Sequence, residues 1–206
     1  MKTQSFNLTN KMLLGVILIV SVLFGCSKDD EVANPVYPPS SGGQSKSLSA
    51  VEKQDLLYIA EKEKLMHDIY QAMYRWNNND IFAQIRLGKA EHLSLLSLKI
   101  DKYGLENPIA FSSEGEYQNT SLQEAYNDFK AKGVLNNSDA IEYGKSLEES
   151  LIGELGAVIG EVSGNSDLVQ VYNKILTESK AHLEVLIDET KETVNTNDSG
   201  NQPNEM

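Results

Sequence analysis

One predicted helix carries a carboxylate at a position where its sequence otherwise places apolar residues. Residues 56–73 read LLYIAEKEKLMHDIYQAM, and steps of three and four residues trace one face of a helix. That face consists of Leu56, Ile59, Glu63, Met66, Tyr70 and Met73. A buried charge is costly unless it is paired or binds a metal ion. We therefore expect Glu63 to meet charged partners from other helices.

Three further predicted helices also place polar residues on their apolar faces. These residues are Lys89 and His92 in the second long helix, Glu148 in the third, and Ser179 and His182 in the fourth. The fourth helix fits two registers equally well. One places Tyr172, Ile175, Ser179, His182 and Leu186 on the core-facing side, and the other places Val171, Ile175, Glu178, His182 and Val185 there. All four long helices are therefore expected to contribute polar groups to the middle of one core.

The order of these residues corresponds to the ligand pattern of carboxylate-bridged di-metal bundles. In those proteins two helices each give one Glu, and the other two each give a Glu-x-x-His pair. This chain supplies the two lone glutamates and both histidines in the same order: Glu63, His92, Glu148 and His182. Lys89 and Ser179, however, stand where the two paired glutamates would be.

Two interpretations of this core remain open from the residues. In the first, the four residues of that pattern bind iron or another divalent metal, and Glu178 supplies a further carboxylate. In the second, the ammonium of Lys89 neutralises Glu63 and Glu148, and no metal is bound. The direction of the Lys89 side chain decides between them, because a lysine that extends outward would leave the site open to a metal.

Other polar residues near this helix are assigned ordinary roles. Tyr70 either hydrogen-bonds to the site or is a core aromatic, and the second role is preferred. His67 is expected at the boundary of the core. Glu61, Asp68 and Glu149 are expected to be solvated or to form surface ion pairs; no catalytic group is identified.

Turn signals and apolar periodicity predict an all-α domain over residues 49–190. The predicted helices run from Ser49 to about Trp76, from the following Asn-rich turn to about Tyr103, from Ser121 to Lys132, from Asp139 to about Val162, and from Asp167 to about Thr190. A long crossover joins the second and third long helices. This connectivity is that of a ferritin-like four-helix bundle, although other four-helix arrangements fit the same pattern.

Four segments of the chain resemble a known family when they are taken in order. They are AEKEKLMHDIY, KAEHLSLLSLKIDKYGL, YGKSLEES and ESKAHL. Together they resemble the prokaryotic ferritin-like domain catalogued as domain-of-unknown-function family 2202, over roughly Ser49 to Asp188. The resemblance implies a ferritin-like fold and, if the protein is an enzyme, di-metal oxidoreductase chemistry. The family typically has Glu at the position of Lys89, and Ser at the position of Ser179.

The N-terminus shows the three regions of a bacterial lipoprotein signal peptide. Lys2 and Lys11 precede an apolar run over residues 12–24, which is too short to span a bilayer comfortably. The sequence LFGC that ends at Cys26 resembles a lipobox, in which the cysteine becomes lipidated. Residues 1–25 are therefore predicted to be a signal peptide and Cys26 the site of the lipid anchor.

The segments that flank the predicted domain are polar. Residues 26–48 are rich in Pro, Gly and Ser and are predicted to be a flexible tether, and residues 191–206 a disordered tail. The acidic run SKDDE over residues 27–31 follows the anchor and resembles a signal for export of lipoproteins to the cell surface. The predicted location is the cell envelope, on the outer membrane, and two orientations remain open, toward the cell surface or toward the periplasm.

The acidic composition limits the classes of partner. The net charge is −12, and Cys26 is the single cysteine, so that disulfides cannot stabilise the domain. Nucleic acids and anionic lipid surfaces require a basic face and are not expected as ligands. The expected partners are the membrane, through the lipid anchor, and a second copy of the chain in a homo-oligomer. The preferred function is metal binding in the core, and the alternative is a metal-free, non-catalytic envelope lipoprotein.

Overall fold

The computed structural model describes residues 47–198, with side chains up to residue 191. This part of the chain contains five α-helices and no strand, which confirms the all-α class within these residues. The helices are α1 (Ala50–Asn77), α2 (Asp80–Lys102), α3 (Thr120–Lys132), α4 (Asn137–Glu161) and α5 (Ser166–Asp198). The predicted signal peptide, Cys26 and most of the predicted tether lie outside the described residues.

The first helix begins where the sequence predicts it. The hydroxyl of Ser49 accepts a hydrogen bond from the backbone N–H of Glu52 at 3.1 Å, and the Glu52 carboxylate accepts one from the backbone N–H of Ser49 at 2.7 Å. This capping box satisfies N–H groups that have no partner inside the helix. Leu48, the last residue of the predicted tether, is already buried in the core.

Asparagine side chains start the next three helices. Asn79, Asn119 and Asn136 each accept a hydrogen bond from a backbone N–H in the first turn of α2, α3 and α4, respectively. Gly104, with a φ of 63°, follows the end of α2, and Gly133, with a φ of 75°, ends α3. A left-handed φ of this kind favours glycine because it has no Cβ atom.

The four long helices form two antiparallel hairpins that pack on each other. α1 packs along α2, and α4 packs along α5; α1 also contacts α4, and α2 contacts α5. The crossover between α2 and α4 contains α3, which packs against α1. One core of buried apolar side chains runs through the described helices. Each long helix therefore presents its apolar face to two others.

One detail of the helices differs from the sequence-based expectation. The backbone of α5 continues to Asp198, beyond the predicted end near Thr190, because no Gly or Pro interrupts it before Gly200. α4 agrees with the expectation, since it is unbroken through Gly153, Gly156 and Gly160. Among residues 47–198, no helix combines the length and apolar character needed to cross a bilayer.

Candidate functional site

The core-facing polar residues predicted from the sequence lie together in the middle of the helices. Five of them have no solvent exposure: Glu63 from α1, Lys89 and His92 from α2, Glu148 from α4, and Ser179 from α5. We refer to these five as the buried polar cluster. Their burial follows from the helical period, because each occupies a position between apolar residues that are themselves buried.

The Lys89 side chain points into the core. Its Nζ atom donates a hydrogen bond to Glu148 Oε2 at 2.9 Å and another to Ser179 Oγ at 3.3 Å. The same Nζ lies 3.6 Å from Glu63 Oε1, an ion pair that is longer than a hydrogen bond. The ammonium therefore occupies the space between the two buried carboxylates, which settles the direction that the sequence left open.

The second oxygen of Glu148 is also occupied. Glu148 Oε1 lies 3.0 Å from the hydroxyl of Tyr70, which donates to it and is also 3.1 Å from the carbonyl oxygen of Gly144. Burial raises the pKa of Glu148, but the positive charge of Lys89 and the nearby His182 outweigh it and hold that pKa below its ordinary value. Burial and the Glu148 charge raise the pKa of Tyr70 far above its ordinary range. Tyr70 is thus both a core aromatic and a neutral donor to the site.

His92 connects the cluster to the protein surface. Its Nδ1 lies 3.1 Å from Glu63 Oε2, and its Nε2 lies 2.6 Å from Glu178 Oε2. Two carboxylates that face the two ring nitrogens suit the imidazolium, in which both nitrogens donate. The Glu178 side chain is 34% exposed and also pairs with Lys174. Burial raises the pKa of Glu178, but hydrogen bonds from Lys174 and His92 lower it overall.

The structure selects between the two registers proposed for the last helix. The fully buried residues of α5 in this region are Tyr172, Ile175, Ser179 and Leu186, whereas Val185 is 45% exposed. Ser179 therefore faces the core, and Glu178 lies at its edge. Glu178 still reaches the cluster because its side chain turns toward His92.

His182 lies beside the cluster without joining its hydrogen bonds. The His182 ring centroid is 6.3 Å from that of His92, and its side chain is 17% exposed. Its Nδ1 lies 3.6 Å from Glu148 Oε1, which is too long for a hydrogen bond. Among the described residues, His182 Nδ1 and Glu63 Oε1 are two buried polar atoms that have no hydrogen-bond partner.

The residues of this site do not fit a di-metal centre. A pair of divalent ions needs several carboxylates to offset its charge, and here a lysine ammonium stands between the only two that are fully buried in the cluster. Within residues 47–198, no three His, Asp or Glu side chains converge closely enough to hold a metal ion. The arrangement of donors and acceptors instead fits a buried ammonium.

A second buried cluster was not predicted from the sequence, from which Asp68 was expected to be solvated or to form a surface ion pair. Asp68 is only 5% exposed, and its Oδ2 accepts hydrogen bonds from Lys64 Nζ at 2.7 Å, Tyr117 OH at 2.7 Å and the backbone N–H of Gly115 at 3.0 Å. Burial raises the pKa of Asp68, but hydrogen bonds from His67 and these donors lower it to about 2. This cluster fastens the crossover to α1.

Glu61 has a similar structural role, and its expected solvation is also wrong. It is 5% exposed and accepts hydrogen bonds from the backbone N–H groups of Gln118 and Asn119, directly before α3. A carboxylate at a helix N-terminus is favourable because the helix dipole is positive there. Glu149 is exposed, as expected. For Asp68, the four-residue spacing from Lys64 indicated that these two side chains could form an ion pair. Such a spacing is typical of exposed helix surfaces, so it did not predict that the pair is buried.

The fold and the buried polar cluster together define a helical-bundle protein with an ionic core. The chain belongs to the family described as "Uncharacterized protein domain (DUF2202)", whose sequence profile matches residues 52–197. This confirms the predicted membership of domain-of-unknown-function family 2202. The chain is also similar to "Uncharacterized protein MJ0754" of Methanocaldococcus jannaschii, with 27% identity over 140 residues that cover 68% of this chain and 75% of that protein.

A solved structure supports the same relationship. The crystal structure of hypothetical protein MJ0754 from Methanococcus jannaschii matches this fold with a TM-score of 0.68 and 26% sequence identity. The match covers 71% of this chain and 83% of that chain. The shared fold therefore extends over most of the described helices.

Proposed function

We propose that this chain is a lipid-anchored protein of the cell envelope whose ferritin-like bundle is a metal-independent, non-catalytic module. The observation that carries this proposal is the position of Lys89. Its Nζ lies 2.9 Å from Glu148 and 3.6 Å from Glu63, with no exposure of any of the three side chains. The ammonium takes the place that a metal ion would need in order to bridge these carboxylates.

Electrostatics supports an ammonium in place of a divalent ion. Two unit charges about 4 Å apart interact by roughly 4 kcal/mol at an effective dielectric constant of about 20. A divalent ion beside the Lys89 ammonium would face roughly twice that repulsion. It would also compete for Glu148 Oε2, which already accepts a hydrogen bond from Lys89. Metal binding at this position would therefore require Lys89 to leave the core.

The membrane anchor rests on the N-terminal sequence pattern. The order of charged, apolar and cysteine-containing regions up to Cys26 is that of lipoprotein precursors. Metabolic labelling with a clickable fatty acid should mark the full chain, and Cys26→Ser should abolish the label. A label that survives this substitution would contradict anchoring through Cys26.

A single metal ion is the second candidate function. It is favoured by the two buried atoms without hydrogen-bond partners, Glu63 Oε1 and His182 Nδ1. In that case the binding residues would come from Glu63, His92, Glu148, Glu178 and His182, and iron would be the preferred ion. Any reaction with oxygen or peroxide would depend on that ion.

Metal analysis separates the two candidates. The full chain is purified without chelators, and its Fe, Mn and Zn contents are measured before and after anaerobic addition of Fe(II). We expect less than about a tenth of an equivalent in both measurements, because the ammonium opposes the ion. One equivalent of metal that is lost on His182→Ala would instead establish the second candidate.

Substitution of Lys89 gives a stricter test. Lys89→Glu removes the ammonium and supplies a carboxylate, so we expect Fe(II) affinity to rise at least about tenfold. Lys89→Met is the matched control, since it removes the charge without adding a ligand. Equal Fe(II) affinity in the wild type and Lys89→Glu would contradict the proposed role of Lys89.

A further inference from the structure

A groove with an apolar floor and a cationic rim lies between α2 and α5. Its volume is about 470 Å³, within the range of small-molecule sites. Its lining consists of the apolar side chains of Leu95, Leu98 and Val171, here called the floor, of Gln170, and of Lys99, Lys102 and Lys174, here called the rim. Leu98 is 65% exposed, although it is a large apolar side chain. We refer to this cavity as the lysine groove.

The lysine groove is locally positive in an acidic protein. None of the described carboxylates lines it, whereas three other described cavities are each lined by at least one Glu or Asp. The chain as a whole carries a net charge of −12. Three lysines around one apolar surface therefore depart from the rest of the molecule, and they favour a ligand with an anionic group.

Two lysines of the rim, Lys102 and Lys174, are available to a ligand. Lys99 and Lys102 share a single carboxylate, Asp167, with Lys102 Nζ 2.8 Å from Asp167 Oδ2. Lys174 pairs with Glu178 across one helical turn. The side chains of Lys102 and Lys174 are 48% and 43% exposed. Exposed ion pairs contribute little stability, so both ammonium groups can turn toward a bound anion at small cost.

We propose that the lysine groove binds a free single-chain fatty acid. The hydrocarbon chain lies along Leu95, Leu98 and Val171, and the carboxylate pairs with the lysines of the rim. The surface of an anionic bilayer and a second copy of the chain each carry many negative charges, so the net negative charge of the protein would repel them. A fatty acid carries a single carboxylate and meets far less of this repulsion. None of the groove residues belongs to the buried polar cluster, and Glu178 contacts both sites because it pairs with Lys174 and with His92.

Photo-crosslinking of the full chain in the membranes of the cells that express it tests this proposal. The probe is a palmitic acid analogue that carries a diazirine in its hydrocarbon chain, and the crosslinked peptides are identified by mass spectrometry. We expect labels within residues 95–102 and 170–174, removed by excess palmitic acid. The palmityl alcohol analogue should label these peptides about tenfold less, because it lacks the charge that the lysines recognise.

Two variants define the contributions of charge and of the apolar floor. Lys102→Gln combined with Lys174→Gln should lower labelling by the acid about tenfold. The matched control, Lys130→Gln combined with Lys191→Gln, changes the net charge equally at exposed sites elsewhere and should leave labelling unchanged. Leu98→Asn should also lower labelling while both lysines remain. Circular dichroism melting of each variant confirms that the fold is retained.

Several results would overturn the proposal. Equal labelling by the acid and the alcohol would remove the role of the lysines. Labelling of the same peptides by a photoreactive phospholipid as strongly as by the acid would show contact with the bilayer instead of a fatty-acid site. A crosslink from these peptides to a second copy of the chain would show that the groove is a homo-oligomer interface.

Discussion

Replacement of Lys89 by Met isolates the energetic role of the buried ammonium. Met is an unbranched, flexible side chain that adapts to core space, so the change removes the charge and leaves only a small cavity. Glu148 would lose a hydrogen bond of 2.9 Å, and Glu63 would lose its ion pair at 3.6 Å. Breaking a buried ion pair by removing one partner costs about 3 to 5 kcal/mol. For a chain of this size, that loss lowers the melting temperature by roughly 10 °C.

The pH dependence of this loss identifies its cause. In the wild type the pKa of Glu148 lies below its ordinary value of 4.5, so ionised Glu148 stabilises the fold above that pH and the contribution is lost as pH falls through the lowered value. In Lys89→Met, burial acts on Glu148 without the ammonium and raises its pKa. Protonation of Glu148 in the folded variant then removes its buried negative charge and restores part of the lost stability. The deficit in unfolding free energy should therefore be largest near neutral pH and shrink as pH approaches 4.5.

The assay is denaturant unfolding of the full chain, followed by far-ultraviolet circular dichroism at a series of pH values. Lys130→Met is the control, because Lys130 is exposed and its loss should change the unfolding free energy by no more than about 0.5 kcal/mol. A deficit for Lys89→Met below about 1 kcal/mol at neutral pH would refute the argument. A large deficit that does not vary with pH would also refute it, since packing and not charge would then be the cause.

Two further predictions concern the neighbours of this site and the crossover. Tyr70→Phe removes the hydroxyl that lies 3.0 Å from Glu148, and should lower the unfolding free energy by about 1 to 3 kcal/mol in the same assay. An unchanged unfolding free energy would mean that water replaces the hydroxyl. Gly115→Ala should destabilise the fold more than Gly133→Ala. Both glycines have positive φ, but a Cβ at Gly115 would lie 2.4 Å from the Tyr126 ring, whereas one at Gly133 would meet no described atom within 4 Å. Equal losses of unfolding free energy in the two variants would show that Tyr126 moves aside.

The helices and their core-facing residues were predictable from the sequence because both follow the helical period. Glu63 and Glu148 were placed in the core on spacing alone, and both have no exposure. The direction of Lys89 was not predictable. Its four-carbon chain can reach inward or outward, and the choice depends on acceptors from α4 and α5, which lie 59 and 90 residues away in sequence.

The burial of Asp68 was also not predictable, because its partners are distant in the sequence. Its partners Gly115 and Tyr117 belong to the irregular part of the crossover, 47 and 49 residues further along the chain. Such a segment has no period from which a contact can be predicted.

The register of α5 was ambiguous because both alternatives share Ile175 and His182. Only the packing of α5 against the other helices places Ser179 inside and Val185 outside.

Lys89 can hold the long helices in register as a metal ion would. An ammonium has three N–H donors, and here three oxygen atoms from three different helices surround it. Glu148 Oε2 on α4 lies at 2.9 Å, Ser179 Oγ on α5 at 3.3 Å and Glu63 Oε1 on α1 at 3.6 Å. Since Lys89 itself belongs to α2, one side chain connects all four long helices. A shift of any helix by one turn would leave a charged group buried without its partner, so this ionic core opposes alternative packings even if its net contribution to stability is small.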